Sequence, residues 1–320
     1  MIMKILRRIL YTFIALVGVT FIFALIMAFL PTKSKVNTKR ITREDAAFLR
    51  QQYSEPHHTF TTTDGETMFL KRWNSDSMET VKKDIAILIF HGVTAHSGAY
   101  NMAGKPLSKG GYTTFGLDYR GHGLSGGNRG DSPSKDRWIA DLVEAVRYIK
   151  GLGYSKVVVL GHSLGVASAI YATKAIPDEI AGLILLSGAY EGKKGVTAPP
   201  TLFQKTKILA SSIFRPSVPV VEYYRDGMTG INDSLFNFKY TLRFLSMLNV
   251  KELTLPEQLN IPVLVGVGDK DELFEVDKVK ALYDAVPGNK KEFIVLKDTY
   301  HARFPTESWE KLVVWLYKSY

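Results

Sequence analysis

Residues 157–172 constrain the fold of this chain more than any other stretch. Val157-Val158-Val159-Leu160 runs directly into Gly161-His162-Ser163-Leu164-Gly165, and Val166-Ala167-Ser168-Ala169-Ile170-Tyr171-Ala172 follows. The first run suits a strand covered on both faces, and the last reads as a helix. A strand that turns at once into a helix through Gly-x-Ser-x-Gly holds its serine on a sharp, strained corner and lifts the hydroxyl out of the sheet. Backbone comes close on both sides of such a corner, so Gly161 and Gly165 must lack a bulky side chain. The helix start also aims free N–H groups at any negative charge developing beside Ser163. At ordinary residue usage, a bare Gly-x-Ser-x-Gly arises by accident in about one chain in ten of this size. The flanking strand and helix are what set this one apart from a glycine-rich turn.

The same alternation continues on both sides. Ile85–Phe90, Tyr112–Leu117, Lys156–Leu160, Ile180–Leu186, Pro262–Val267 and Glu292–Leu296 read as strands. Ser97–Lys109, Ser134–Lys150, the elbow helix to Ile176, Val276–Ala285 and Thr306–Lys318 read as helices. Trp138, Leu142, Val146 and Ile149 form one helical stripe. Strand–helix alternation of this length predicts an α/β fold with a doubly wound, mostly parallel sheet. Ahead of it, His58–Thr62 and Met68–Trp73 flank Asp64-Gly65, a hairpin signal, and a short helix is expected around Arg43–Tyr53. The alternation breaks at 190–256, too long for a plain loop. Gly192, Gly195 and Pro199-Pro200 open this insertion, and two apolar-rich stretches, Leu202–Phe214 and Ser234–Leu248, predict a helical cap. Leu202, Phe203, Ile208, Leu209, Ile213, Phe214, Phe236, Phe238, Phe244 and Leu245 either line an acyl channel there or pack on one another. The expected domains are an anchor and basic tether (1–43), a core in two parts (44–189 and 257–320), and the cap between them.

Charge is unevenly placed. The formal balance of +10 suggests a nucleic-acid partner until it is located. Residues 1–43 carry eight basic and no acidic residues; the remainder carries 33 basic against 31 acidic. The near-neutral remainder removes the main support for nucleic-acid binding. Ile9–Leu30 is free of charge over 22 residues, enough at about 1.5 Å per residue to cross a bilayer core of about 30 Å. It exceeds the apolar core of a cleaved signal peptide, about 7–15 residues, and lacks an Ala-x-Ala-like site. We read it as a single-pass membrane anchor. Lys4, Arg7 and Arg8 precede it; Lys33, Lys35, Lys39 and Arg40 follow, and this larger excess leans towards a cytoplasmic catalytic domain. Cysteine is absent, which excludes a disulfide frame, a thiolate metal site and a cysteine nucleophile.

A serine nucleophile needs a base within hydrogen-bond reach, and the base needs an orienting carboxylate. After this type of elbow the partners follow in the order Asp, then His. Of seven histidines, only His301 follows both the elbow and the insertion, in the loop after Phe293–Leu296. The acid is expected after Val263–Val267, where Gly268-Asp269-Lys270-Asp271 offers two candidates; Asp271 is favoured and Asp269 is the alternative. Leu164 N–H, directly after the serine, is one expected oxyanion donor. Val93 N–H, in the loop His91-Gly92-Val93 after Ile85–Phe90, is the second. His91 and Gly92 let that loop turn tightly. His96 and Ser97 either shape the pocket mouth and bond a substrate hydroxyl or cap the helix beginning near Ser97.

Several of these stretches together resemble the monoacylglycerol lipase and lysophospholipase group of α/β-hydrolases, which is grouped with the S33 serine aminopeptidases. Phe90-His91-Gly92-Val93-Thr94-Ala95-His96-Ser97-Gly98-Ala99-Tyr100 resembles its oxyanion loop. Asp118-Tyr119-Arg120-Gly121-His122-Gly123-Leu124-Ser125-Gly126-Gly127 resembles its Arg-Gly-His-Gly-x-Ser-Gly loop. Gly161–Gly165 matches its elbow, Gly268-x-x-Asp271 its acid loop, and His301 falls where its base falls. The resemblance covers about residues 55–320. It implies an α/β-hydrolase fold, Ser163 as nucleophile, Asp271 and His301 as its partners, and Val93 and Leu164 as oxyanion donors; His91, Gly92 and His96 are expected beside the substrate. It implies no metal and no organic cofactor. Thr94 and Ala95 depart from the group's pattern, and the insertion does not align with it.

The function expected is a membrane-tethered serine hydrolase that cleaves esters of single-chain lipids through an acyl-enzyme. An aminopeptidase or a general carboxylesterase is the runner-up. An aminopeptidase must hold a substrate ammonium, and Glu222/Asp226 is the one carboxylate pair in an insertion of nine basic and five acidic residues. A binding protein that kept the fold without the chemistry is the third possibility, though no expected site residue is missing.

Overall fold

The computed structural model describes residues 1–31, 34–36, 38–75, 84–196, 198–247 and 253–320. Lys33 of the basic tether, and Leu248 at the end of the second expected cap helix, lie outside them. Along the chain come α1 (Ile2–Phe29), α2 (Arg43–Gln51), β1 (His57–Thr61), β2 (Thr67–Trp73), β3 (Ile85–Phe90), a 3₁₀ turn (Ser97–Tyr100), α3 (Asn101–Lys109), β4 (Thr113–Asp118) and α4 (Lys135–Gly151). Then follow β5 (Lys156–His162), α5 (Leu164–Ala175), β6 (Gly182–Leu186), α6 (Leu202–Phe214), β7 (Val221–Glu222), β8 (Lys239–Tyr240) and α7 (Leu242–Ser246). The chain ends with β9 (Val263–Gly268), α8 (Val276–Ala285), β10 (Lys291–Leu296) and α9 (Thr306–Ser319).

Eight strands make one sheet in the order β1-β2-β4-β3-β5-β6-β9-β10. β1 and β2 pair antiparallel around Gly65 (φ 86°), and β2 runs antiparallel to β4. Every later pairing is parallel. Strand pleating sorts the β-branched runs between two cores. Ala86, Leu88, Val157 and Val159 face Leu142, Val146, Ile170 and Val279 of α4, α5 and α8. Ile85, Ile87, Val158 and Leu160 face Leu107, Leu312 and Leu316 of α3 and α9. The stripe Trp138, Leu142, Val146 and Ile149 is buried as expected. Each such side chain removed from water stabilises the fold by about 1.5–3 kcal/mol. The two cores clamp the sheet and hold the loops at the carboxyl ends of its parallel strands in place.

Between β6 and β9 the expectation holds for one helix and fails for the other. α6 spans the expected residues and starts from a capping box, Thr201 with Gln204. Ser234–Leu248 is not one helix. Phe236, Phe238 and Tyr240, spaced two apart, are buried, Lys239–Tyr240 pairs with Val221–Glu222, and among the described residues of the stretch only Leu242–Ser246 is helical. The apolar spacing there has a period of two, which belongs to a strand rather than a helix.

α1 begins earlier than its charge-free run, so Lys4, Arg7 and Arg8 lie on its first turns. At its other end Ala210 of α6 packs on Met27 and Ala28. Lys207 donates to the Leu30 carbonyl, and Ser211 (3.4 Å) and Arg215 (3.3 Å) donate to that of Ala28. A helix leaves its last carbonyls without internal partners, and here side chains of α6 supply them. The opposite face of α6 leaves Leu202, Phe203, Leu209 and Ile213 exposed.

Candidate active site

The elbow carries the strain that its sequence anticipates. Ser163 adopts φ 57° and ψ −119° between β5 and α5, a conformation that costs a non-glycine residue about 1–3 kcal/mol and persists only where surrounding structure enforces it. The enforcement is close backbone. A Cβ on Gly161 would sit 2.2 Å from the Gly165 carbonyl oxygen, and one on Gly165 would sit 1.9 Å from that of Phe90. Ser163 N–H donates to Leu186 O at 3.0 Å, tying the corner to β6.

Two further loops meet it. His301, beyond β10, places Nε2 at 3.0 Å from Ser163 Oγ. Its Nδ1 lies 3.2 Å from Oδ2 of Asp271, beyond β9. The other oxygen of Asp271 accepts from Leu273 N (2.8 Å) and Phe274 N (3.0 Å), which fixes the carboxylate. Burial pushes the Asp271 carboxyl up, but the bond and charge of His301, with the Leu273 N–H, outweigh it and hold the group below its ordinary value. Asp269 is exposed and accepts from Thr299 N at 3.3 Å instead. Of the two acid candidates, Asp271 is the one in contact with His301.

A second, buried chain of hydrogen bonds joins the loops behind the serine. Gly92 N–H donates to the Tyr100 hydroxyl (2.7 Å), which donates to His162 Nδ1 (2.6 Å). His162 Nε2–H then donates to the His301 carbonyl (2.7 Å). A carbonyl can only accept, so Nε2 of His162 carries a proton. Burial above all, with His301 beside it, lowers this imidazole to about 3, so the ring is neutral. Glu272 adds a carboxylate under His301 N–H at 2.9 Å. The residue reading singled out none of Tyr100, His162 and Glu272. His162 was visible as the second residue of the elbow; the other two become partners only in space.

The loop after β3 is tied to the insertion. Val93 O accepts from the Tyr240 hydroxyl (2.7 Å), and Thr94 O accepts from Asn237 N (3.0 Å). Among the described residues, neither Val93 N–H nor Leu164 N–H donates to a protein acceptor, as donors reserved for a reacting oxygen require. Gly92 and Val93 line the cavity beside Ser163. His91 does not. It is fully buried, with Nδ1 against Gly92 O (2.8 Å) and Nε2 accepting from Tyr119 N (3.4 Å), so it supports the loop rather than meeting a ligand. His96 also turns away from the cavity. Its Nδ1 accepts from Gly98 N, capping the 3₁₀ turn, and its Nε2 meets Asp233 at 3.0 Å. The capping alternative is the one that the geometry favours.

The cavity holds about 220 Å³ and is mostly apolar. Of the ten apolar cap positions considered for a channel, only Phe236 lines it. Phe238 and Phe244 are buried in packing, and the outer face of α6 points away. Among the described residues, Arg225 is the one permanently charged residue on the lining, and its Nε is buried without a described partner while its NH2 reaches Glu272 at 3.5 Å. Glu222 and Asp226 do not line it. Glu222 lies in β7, its carboxylate accepting from Ser34 Oγ and Lys35 N, and Asp226 sits in a turn, so they share no helix face. A hydroxyl, an imidazole and a fixed carboxylate in series beside two free N–H groups make an arrangement able to attack a carbonyl and hold the oxyanion that forms.

Residues 81–308 match the family model described as serine aminopeptidase, S33. The chain is 27% identical over 274 residues to a monoacylglycerol lipase of Mycolicibacterium smegmatis, covering 80% of this chain and 93% of that one. It is 24% identical over 255 residues to the monoglyceride lipase of Rattus norvegicus, covering 74% and 80%. A monoglyceride lipase structure from Saccharomyces cerevisiae aligns with a TM-score of 0.65 at 17% identity, over 91% of this chain and 99% of that one. The monoacylglycerol lipase of Paleococcus ferrophilus aligns with a TM-score of 0.61 at 21% identity, over 79% and 99%. The fold is therefore that of an α/β-hydrolase.

Proposed function

The chain belongs to the serine aminopeptidase S33 family, and on that premise we propose a membrane-tethered serine hydrolase acting on single-chain lipid esters. It is a monoacylglycerol lipase-like α/β-hydrolase. The observation that carries the finer reading is the series Ser163–His301–Asp271, linked at 3.0 and 3.2 Å and opening into a mostly apolar cavity. In this reading His301 takes the Ser163 proton as Oγ attacks the ester carbonyl. Val93 and Leu164 N–H hold the oxyanion, and His301 returns the proton to the departing glycerol or headgroup oxygen. Water then releases the fatty acid from the acyl-enzyme by the same steps. Asp271 keeps the ring oriented and stabilises its charged form. No metal or organic cofactor enters the scheme.

The substrate enters from a membrane. α1 is long and apolar enough to cross one, and the contact of its C-terminal end with α6 would seat residues 190–256 at the bilayer surface as a cap. The greater excess of Lys and Arg after the span leans towards a catalytic domain on the cytoplasmic side. An aminopeptidase is supported less well: an ammonium substrate needs carboxylates, whereas the cavity's fixed charge is the Arg225 cation. A general carboxylesterase shares the chemistry and differs only in acyl length. A binding protein with the fold alone would leave the Ser163 hydroxyl unreactive.

The test is made on the full chain in detergent. A fluorophosphonate probe is expected to label the wild type and not Ser163→Ala, and an untargeted lipid assay should show one monoacyl lipid class consumed only by the wild type. Absence of labelling would favour the scaffold protein. Turnover of proline anilides faster than of p-nitrophenyl acyl esters would replace the lipase reading with the aminopeptidase.

A further inference from the structure

The segment that leaves the anchor does not hang free of the catalytic domain. Ser34 Oγ donates to Glu222 Oε1 at 2.5 Å, and Lys35 N–H spans both oxygens of that carboxylate at 3.0 and 3.2 Å. Thr38 Oγ1 donates to Ile231 O at 2.6 Å. Arg40 donates to Asp233 O (3.0 Å) and Phe236 O (2.8 Å), with its guanidinium 4.3 Å from the centre of the Phe238 ring. Ile41 N–H reaches Ser234 O at 3.5 Å. Val36, only 8% exposed, packs into one apolar cluster with Phe236, Phe238, Met228, Ala95 and Ala99.

Four members of that cluster, Phe236, Met228, Ala95 and Ala99, also line the cavity holding Ser163 and His301. Val36 therefore backs the substrate wall from outside. Arg40 grips the chain on both sides of Leu235, and Asp233, whose carbonyl it holds, reaches His96 at the base of the loop that carries Val93. A segment with mostly polar and basic composition would ordinarily be read as a solvated spacer. Here Ser34, Lys35, Thr38, Arg40 and Ile41, five of its residues, make polar contacts with the domain, and the one large apolar side chain described between Ser34 and Arg40 is buried.

We propose that residues 34–36 and 38–41 are a positioning strap for the acyl-binding wall, with Val36 and Arg40 as its working residues, so that anchor and substrate site form one mechanical unit. The proposal rests on the lipid-ester reading of the same cavity. The wall formed by Phe236 and Met228 packs with Ala95 and Ala99, which follow β3, on one side and with Val36 of the strap on the other. Loosening the strap lets the wall relax and weakens the binding of long acyl chains, whose affinity grows with buried apolar area. An acetyl group has little such area, so it feels the wall least.

The test uses the full chain in detergent with Val36→Ala, Arg40→Gln and the conservative Arg40→Lys. The first readout is binding of a fluorescent long-chain fatty acid to each variant made on a Ser163→Ala background, which needs no catalysis. Val36→Ala and Arg40→Gln are expected to weaken it about tenfold, and Arg40→Lys to recover part of the loss. The second is p-nitrophenyl laurate against p-nitrophenyl acetate: KM for laurate should rise about tenfold with kcat within about twofold, and KM for acetate should move far less. Equal fatty-acid affinity in all variants would overturn the strap. So would a loss shared equally by laurate and acetate, which marks general destabilisation. If the wild type binds the fatty acid but cleaves neither ester and takes no fluorophosphonate, the hydrolase reading fails while the binding comparison still decides the strap.

Discussion

At the scale of single residues, the site turns on which carboxylate meets His301 and on where protons are kept away. Asp271 is buried and fixed by two N–H donors, whereas Asp269 is exposed. Asp271→Asn is expected to lower kcat/KM for a p-nitrophenyl ester by about 10²–10⁴-fold, because the ring loses the partner that sets its tautomer. Asp269→Asn should stay within about threefold on the same scale, as surface changes do. The reverse order would make Asp269 the acid. His91, His122 and His162 are a second group, each drawn down to about 3, chiefly by burial. An unfolded histidine titrates near about 6.5. Between those values the unfolded chain binds protons that the native chain does not, so stability is full above the upper value and falls as pH drops towards the lower one. Each ring contributes up to about 1.4 kcal/mol per pH unit across that window. Thermal unfolding from pH 7 to pH 4 should show Tm falling, and His162→Gln should make the fall shallower. An identical slope in the variant would show that this imidazole takes up no proton on unfolding.

At the scale of elements, the elbow is the place where local sequence and tertiary packing make the same demand. Gly165 stands where α5 crosses the end of β3, and a methyl there would overlap the Phe90 carbonyl. Gly165→Ala is expected to cost about 3 kcal/mol or more, since backbone cannot give way as a side chain can. Gly151, at the end of α4, has open space around its Cβ position. Gly151→Ala should leave stability level or raise it by up to about 1 kcal/mol. Denaturant unfolding of the pair checks this, and equal effects would mean that the elbow relaxes. α6 offers the opposite case. One face is set by contacts with α1, and Leu202, Phe203, Leu209 and Ile213 remain exposed.

At the scale of the whole molecule, α1 packs on α6 and the segment after α1 bonds to the insertion, so the proposed span and the side on which it leaves the sheet are tested on the entire chain. The absence of cysteine makes this simple to measure. Lys4→Cys and Lys318→Cys each introduce one exposed thiol, at opposite ends of the chain. With a membrane-impermeant maleimide, Lys4→Cys is expected to react in intact cells and Lys318→Cys only after permeabilisation. The inverse pattern would place the catalytic domain outside, and simultaneous reaction of both would remove the span.

Much of this was legible from residues alone, for identifiable reasons. Runs such as Ile85–Phe90 and stripes such as Trp138/Leu142/Val146/Ile149 report burial directly, because water exclusion acts on each side chain according to its period. Ser163 and its two glycines were legible because a strained corner admits few residues. The failures lie where meaning depends on partners distant in the chain. Ser234–Leu248 was read as a helix because its apolar residues are dense; which of them meet the sheet is decided by pairing with Val221–Glu222. His96 has two readings in the sequence, pocket mouth or helix cap, and only the packing, with its nitrogens on Gly98 and Asp233, favours the cap; His91, expected beside the substrate, has both nitrogens engaged inside the loop. Glu222 was read as a possible ammonium ligand and is occupied by Ser34 and Lys35, 188 and 187 positions away. Sequence determines what each side chain can do and which local geometry it tolerates. Tertiary structure alone decides which donors and acceptors remain free, because hydrogen-bond capacity is finite and the fold spends most of it before a ligand arrives.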